Sequence, residues 1–165
     1  MDLARFERLF LLVSLLIFVG AIAGCGAANQ RPPVFQMRLV LDAPSADSEP
    51  MTYTGKGATQ PQVLQVWKKP LLDQTAVESA AVIEETPADK PQIRIMFTAQ
   101  GSKRFAEVTK QTIHKRIAVV IDGKVYEAPM IQAEISTDWV PIRGEFTRQQ
   151  ATELAGKINA AVGRK

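Results

Sequence analysis

The residue types that could carry out chemistry are scarce in this sequence. Its 165 residues include one Cys and one His, which excludes an internal disulfide, a cysteine zinc site and a multi-histidine metal site. His114 lies beside Lys115 and Arg116 at the predicted end of a helix, where a basic side chain favours the helix dipole. Glu84 and Glu85 are neighbours, and neighbours on a strand point to opposite faces. We therefore predict no catalytic residue, no metal and no cofactor.

Cys25 is the residue for which the sequence indicates a covalent modification. It follows a short polar start and fifteen residues without a charge, from Leu9 to Ala23. That length is typical of a signal-peptide core and is short for a membrane-spanning helix, which needs about 20 apolar residues. Residues 22–25, Ile-Ala-Gly-Cys, resemble the bacterial lipobox, in which the Cys thiol is acylated and the chain is cut before it. An uncleaved signal anchor with an incidental Cys is the alternative.

The lipobox resemblance implies three parts of the chain. Residues 1–24 are then a lipoprotein signal peptide, residues 25–34 a small, polar tether ending in prolines, and residues 35–163 a domain. Acyl chains on Cys25 would attach the domain to the lipid bilayer, in the cell envelope on the extracytoplasmic (periplasmic) side. An Asp directly after the Cys resembles an inner-membrane retention signal, and this chain has Gly26 at that position. In a two-membrane cell the glycine favours the outer membrane, but the sequence does not decide between the two membranes.

The composition fits one folded domain behind this leader. The chain is 46% hydrophobic and 22% charged, with a formal net charge of +3. Typical domains have about 100–200 residues, and disordered chains are less hydrophobic and more highly charged. Basic and acidic residues are mixed along the chain, whereas nucleic-acid-binding domains usually show basic clusters. We therefore expect no nucleic-acid partner.

Alternating apolar residues predict several strands. The predicted strands are 35–41, 63–67, 92–98, 117–121, 125–131 and 141–146, and residues 42–62 are a predicted loop. Asp122-Gly123 predicts a two-residue hairpin turn, because both turn positions need a positive φ. Residues 80–85 fit either a strand or the continuation of a helix.

Polar capping residues predict about three helices. Asp73 is expected to begin a short helix to about Ser79, and Thr98 a longer one to about His114. Thr147 and Gln150 form a capping box at the start of the last helix. Antiparallel hairpins interleaved with about three helices predict an α+β fold, a two-layer sandwich of a mostly antiparallel sheet.

Four segments in order resemble a known family. They are residues 91–98 (PQIRIMFT), 101–109 (GSKRFAEVT), 115–130 (KRIAVVIDGKVYEAPM) and 142–155 (IRGEFTRQQATELA). These segments are similar to consecutive motifs in the head of the first periplasmic domain of SecD, in the SecDF protein-export family. Several spaced motifs in order are more specific than one short pattern. The resemblance covers roughly residues 71–161 and implies that this head occurs here as a stand-alone bacterial lipoprotein.

The resemblance also implies a role in protein export. SecD has six transmembrane helices, and the proton-coupled movement of the family depends on them. We expect no such helix after the leader of this chain, so we do not expect this chain to use a proton gradient by itself. We expect a membrane-anchored, non-enzymatic module that binds Sec translocase components or exported polypeptides through exposed strand edges or apolar loop residues. Met130 and Trp139 are candidate partner contacts, although Trp139 also fits a role at the edge of the core. The alternative is a structural or accessory envelope lipoprotein that binds another envelope complex without handling unfolded substrates.

Overall fold

The computed structural model describes residues 34–55, 60–84 and 90–163. The fold below is that of the compact unit within residues 32–165. The predicted signal peptide, the lipid-attachment residue Cys25 and all of the predicted tether except Val34 lie outside the described residues. Within the described ranges, no helix is long and apolar enough to cross a membrane.

Nine strands and two α-helices are present in the described ranges. The strands are β1 Phe35–Leu41, β2 Ser48–Tyr53, β3 Gln62–Trp67, β4 Leu72–Asp73, β5 Val77–Ile83, β6 Gln92–Phe97, β7 Ile117–Ile121, β8 Lys124–Glu127 and β9 Trp139–Ile142. The helices are α1 Ala99–Gln111 and α2 Arg148–Val162, and a 3₁₀ turn, Gln74–Ala76, precedes β5.

The larger sheet closes on itself. Its strand order is β3-β2-β8-β7-β1-β4, and β3 also pairs with β1, so that β1, β7, β8, β2 and β3 form a closed ring. A small cluster built from Leu64, Val66, Ala118, Val120, Val125 and Ala128 fills the interior of this ring. Arg38 is buried in β1 and shares the interior face with Val40. Its Nε donates to the carbonyl of Trp67 at 2.6 Å and its Nη1 to Glu49 Oε1 at 2.7 Å, which links β1 to the non-adjacent β2.

The smaller sheet has the order β5-β6-β9, with both pairs antiparallel. Its inner face contributes Ile93, Ile95 and Ile142 to the main core. The two helices and the larger sheet also contribute to this core, with Phe35, Met37, Phe105, Val108, Ile117, Val119, Ala151, Leu154 and Ile158. The main core therefore lies between the two sheets and beneath both helices.

The predicted α+β class is confirmed, and the caps and the hairpin turn occur where the sequence places them. Thr98 Oγ1 accepts a hydrogen bond from Gly101 N at 3.0 Å and begins α1. Thr147 and Gln150 form the complete capping box of α2. Asp122 and Gly123 have φ of 50° and 77°, the positive values that the hairpin turn requires.

Several predicted boundaries are wrong for local reasons. Residues 48–53, predicted as loop, form β2 because β3 supplies hydrogen-bonding partners along its whole length. Residues 80–83 are strand, because the helix expected from Asp73 is only the 3₁₀ turn and the chain is extended from Val77 onward. The last predicted strand, 141–146, is in fact Trp139–Ile142.

The ends of α1 and β8 also differ from the prediction. Helix α1 ends at Gln111, and His114 follows with a positive φ of 63° and donates its backbone N–H to Ile131. Strand β8 ends at Glu127, with Met130 joined to Arg116 only by an isolated bridge. The predicted strand 125–131 is shorter because Pro129 has no N–H to donate.

Candidate functional site

An apolar groove of about 430 Å³ lies between β8 and β9. Strands of both sheets, helix α1 and the segment between β8 and β9 contribute its walls. The apolar lining includes Phe105, Ile131, Ile135, Val140 and Ile142. Ile135 is 39% exposed, so apolar surface of the groove is open to solvent. Such a groove can accept an apolar side chain or an extended segment of another chain.

Glu127 adds a carboxyl group to this apolar lining. Its Oε1 accepts a hydrogen bond from the backbone N–H of Arg143 at 2.6 Å. Burial raises the pKa of the Glu127 carboxyl to about 6, and the hydrogen bond from Arg143 and the charge of its guanidinium only partly oppose that rise. The groove therefore changes its charge in mildly acidic solution.

A β-bulge directs Glu127 towards the groove. Val120 of β7 pairs with Val125, whereas Val119 pairs with Glu127, so Tyr126 is the extra residue. Paired residues share a face of a sheet. Val125 therefore faces the interior of the ring with Val120, while Glu127 faces outward with Val119.

The free edge of β9, which borders the groove, has few backbone groups available for a further strand. The backbone N–H of Phe97 donates to the carbonyl of Asp138 at 2.8 Å. Because the backbone groups of successive strand residues point in opposite directions, the N–H and C=O groups of residues 139, 141 and 143 point away from β6. The backbone N–H of Trp139 donates to the Thr137 hydroxyl at 3.4 Å, and the same hydroxyl donates to the carbonyl of Trp139 at 3.0 Å. Pro141 has no N–H, and Arg143 donates to Glu127.

The opposite edge of this sheet, on β5, is capped as well. Asn159 of α2 accepts the N–H of Ala80 at 2.7 Å and donates to its carbonyl at 2.8 Å. A side-chain amide thus takes the place of a neighbouring strand at the centre of β5. These contacts leave few backbone groups for an added strand at either edge, so the geometry favours binding through apolar residues of the groove over binding through strand edges.

Met130 and Trp139, the candidate partner contacts, are both exposed but line different surfaces. Met130 is 52% exposed and lines a cavity of about 210 Å³ that also includes His114 and Arg116. Trp139 is 38% exposed, and its ring lies 4.7 Å from the guanidinium carbon of Arg94. Neither residue lines the apolar groove, so the structure does not bring them into one site. Their contact with a partner stays a prediction.

The other residues considered for chemistry have structural contacts or lie apart. Glu84 forms an ion pair with Arg148 at the start of α2, and Glu85 lies outside the described residues. His114 is exposed beyond the end of α1. In the part of the chain that the structure describes, no group of three or more His, Cys, Asp or Glu residues could hold a metal ion.

Fold and site together define a two-sheet α+β domain with an apolar groove between its sheets. The family model described as SecDF, P1 head subdomain, matches residues 49–162 of this chain. This match covers more than half of the sequence, and the chain belongs to that family. The resemblance to the SecD head is thereby confirmed.

Two protein translocase subunits illustrate the similarity in sequence. SecDF of Thermus thermophilus is 44% identical over 66 residues, which are 40% of this chain and 9% of that protein. SecD of Magnetococcus marinus is 34% identical over 118 residues, which are 70% of this chain and 22% of that protein. The chain therefore spans less than a quarter of the length of either relative.

Two solved structures share the fold. A structure of SecDF, a membrane component that enhances protein export, superimposes with a TM-score of 0.61 and 24% identity, over 97% of this chain and 70% of that chain. SecDF in a super-membrane-facing form gives a TM-score of 0.56 and 23% identity, over 98% of this chain and 21% of that chain. Identities this low support the fold alone.

Proposed function

We propose that this protein is a membrane-anchored lipoprotein whose SecD-head-like domain is a non-enzymatic binding module in protein export. Acylated Cys25 holds it to a membrane, and the domain lies on the extracytoplasmic side of that membrane. Its groove binds apolar segments of exported polypeptides, or of Sec translocase components, reversibly.

The groove between β8 and β9 is the observation that carries this proposal. Its lining is mostly apolar, and Ile135 offers exposed apolar surface to a bound segment. Contacts of this kind depend on side-chain burial, at roughly 25 cal/mol per Å², and are insensitive to the exact sequence that is bound. Transient binding of many different unfolded segments needs this tolerance.

Family membership and the lipobox support the two other parts of the proposal. The chain belongs to the SecDF P1 head family, and its sequence relatives are protein translocase subunits, which supports the assignment of this chain to protein export. Residues 22–25, Ile-Ala-Gly-Cys, support lipid attachment because they resemble the lipobox. Two or more acyl chains on Cys25 would give stable anchoring.

Substitution of Ile135 by Asp tests the role of the groove. A charge among the apolar groove residues should weaken the binding of an apolar peptide by about tenfold or more, because the carboxylate must be desolvated. The measurement is fluorescence anisotropy of a labelled, unstructured peptide of alternating valine and serine, titrated with the full-length chain in detergent.

Ile113→Asp is the matched control. Ile113 is 36% exposed, close to the 39% of Ile135, and it does not line the groove. We expect its peptide affinity to stay within about twofold of the wild type. Equal loss of affinity in both variants, or no binding by the unchanged chain, would contradict the groove function.

The alternative function, an accessory lipoprotein that binds another envelope complex, has one observation in its favour. Exposed Trp139 and half-buried Arg94 form an aromatic and cationic pair on the smaller sheet, and neither lines the groove. Copurification of one stoichiometric partner, with no affinity for the valine-serine peptide, would support this alternative over the first.

A further inference from the structure

The outer face of the smaller sheet is open in the described structure. Arg94 and Met96 of β6, Ala81 of β5 and Trp139 of β9 lie on this outer face, because they alternate with Ile93 and Ile95 of the main core. The side chains on it are half-buried or exposed. Both helices pack against the inner face, so the outer face is available to a partner.

Arg94 is the charged residue near the centre of this face. Its guanidinium carbon lies 4.7 Å from the centroid of the Trp139 ring, a distance typical of a cation–π contact. Its Nε is buried and has no hydrogen-bond partner, and within the described residues no carboxylate pairs with the guanidinium. Contact with the Trp139 ring orients the guanidinium, and its N–H donors have no hydrogen-bond acceptor among the described residues.

The direct neighbours of Arg94 on this face, including Pro141 of β9, are uncharged. Ala81 is its direct neighbour across β5, and Met96 and Gln92 flank it on β6. Glu84, just after β5, pairs instead with Arg148. A cation whose direct neighbours are uncharged favours a ligand with a matching carboxylate, which can form two parallel hydrogen bonds with a guanidinium.

We propose that this outer face docks a partner protein, one of whose Asp or Glu carboxylates pairs with Arg94. Trp and Arg are among the residues most enriched where binding energy is concentrated in protein interfaces. Trp139 provides apolar area beside the ion pair, and its contact fixes the guanidinium before the partner arrives. The proposal does not depend on the groove function, because neither Arg94 nor Trp139 lines the groove, although the two surfaces meet at Pro141.

A photo-crosslinking amino acid at Ala81 tests the proposal in cells that produce the full chain. Ala81 is exposed and directly opposite Arg94, so a benzoylphenylalanine there would lie against a docked partner. We expect one discrete adduct with a different protein, and mass spectrometry should place the crosslink near an Asp or Glu of that protein. A second variant with the probe at Ile83, on the same face, should give the same adduct.

Removal of the charge distinguishes docking through Arg94 from chance proximity. Arg94→Gln should lower the adduct yield at least fivefold, and it should fold normally because Arg94 makes no described hydrogen bond. Arg104→Gln, the same charge change on the exposed surface of α1, should leave the yield unchanged. Arg94→Glu combined with replacement of the partner's carboxylate by Arg should restore the adduct.

Four results would overturn the proposal. They are the absence of any adduct at both probe positions, an adduct with a second copy of this chain, an adduct site without a nearby carboxylate, and a yield that Arg94→Gln leaves unchanged. Loss of peptide binding in the groove would not affect this test, so failure of the proposed function and failure of this inference give different results.

Discussion

At the scale of single residues, Glu127 makes the stability of the domain depend on pH. Its carboxyl has a pKa of about 6 in the folded protein, raised by burial from an ordinary value of 4.5. Between these two pH values the folded state binds more protons than the unfolded state. The free energy of unfolding therefore falls as the pH rises through this window.

Glu127→Gln should remove this contribution. We expect the free energy of unfolding of the variant to exceed that of the wild type by about 1 to 2 kcal/mol at pH 7, and the two to converge below pH 4.5. The amide oxygen of Gln can still accept the N–H of Arg143, so the fold should be kept. Urea unfolding of both proteins across this pH range measures the difference.

The exposed residue Glu107 on α1 provides the control for this experiment. Glu107→Gln should follow the pH profile of the wild type. A Glu127→Gln profile parallel to that of the wild type would show that the carboxyl does not titrate in this window.

The role of Glu127 could not be predicted from the sequence, for a definable reason. Simple alternation places Glu127 on the same face as Val125, inside the ring. The bulge at Tyr126 reverses that direction, and it depends on the pairing with Val119 and Val120, which are not adjacent to it in sequence. The exposure of Trp139 agrees with the polar residues before it, Ser136, Thr137 and Asp138, a local signal that the sequence does contain.

At the scale of elements, the smaller sheet depends on side chains of other elements to complete its hydrogen bonds. Asn159 of α2 satisfies both backbone groups of Ala80, a buried residue of β5. The carboxylate of Glu127 in β8 accepts the backbone N–H of Arg143, the residue after β9. These bonds fix helix α2 and strand β8 to the edges of the sheet.

Asn159→Ala should therefore destabilise the domain. The buried backbone groups of Ala80 lose their partner, which costs about 1–3 kcal/mol, and the better helix propensity of Ala recovers about 0.5 kcal/mol of that loss. We expect a lower urea midpoint with an unchanged slope. Amide exchange at Ala80 should also become faster.

Gln149→Ala, on the exposed surface of the same helix, is the control. Its stability should change by less than about 0.5 kcal/mol. Unchanged amide exchange at Ala80 in Asn159→Ala would contradict the capping role.

Elements with local signals were predicted well, and those held by distant partners were not. The capping residues Thr98 and Thr147 and the Asp122-Gly123 turn act on their immediate neighbours, so the sequence alone indicates them. Strand β2 has little apolar alternation and contains Pro50, and its extended form depends on pairing with β3. Local patterns do not contain that information.

At the scale of the whole molecule, the proposed lipid anchor has a direct test. Cys25→Ser removes the thiol that acylation requires, so we expect uncleaved precursor and no incorporation of labelled fatty acid in cells. Gel mobility and metabolic labelling measure both. Gly26→Ser provides a control that keeps the thiol and should be processed normally, whereas normal processing of Cys25→Ser would contradict lipid attachment.

The whole-molecule architecture was predicted as a class but not in its division into two sheets. The sequence predicts α+β with a mostly antiparallel sheet, and the strands instead form a ring and a separate three-stranded sheet. The return of β3 to β1, which closes the ring, pairs residues such as Val40 and Val66 that are distant in sequence. The groove exists only between these two sheets, so it could not be predicted either.

The capped positions at the edges of the smaller sheet have a consequence for the proposed binding of unfolded chains. An open strand edge can template the addition of extended polypeptide, and successive additions lead to fibrils. Asn159, Thr137 and Glu127 occupy the outward backbone groups of Ala80, Trp139 and Arg143. Under the proposed function, a bound client is therefore held through side chains in the groove, while the capped positions limit the addition of its backbone to the sheet.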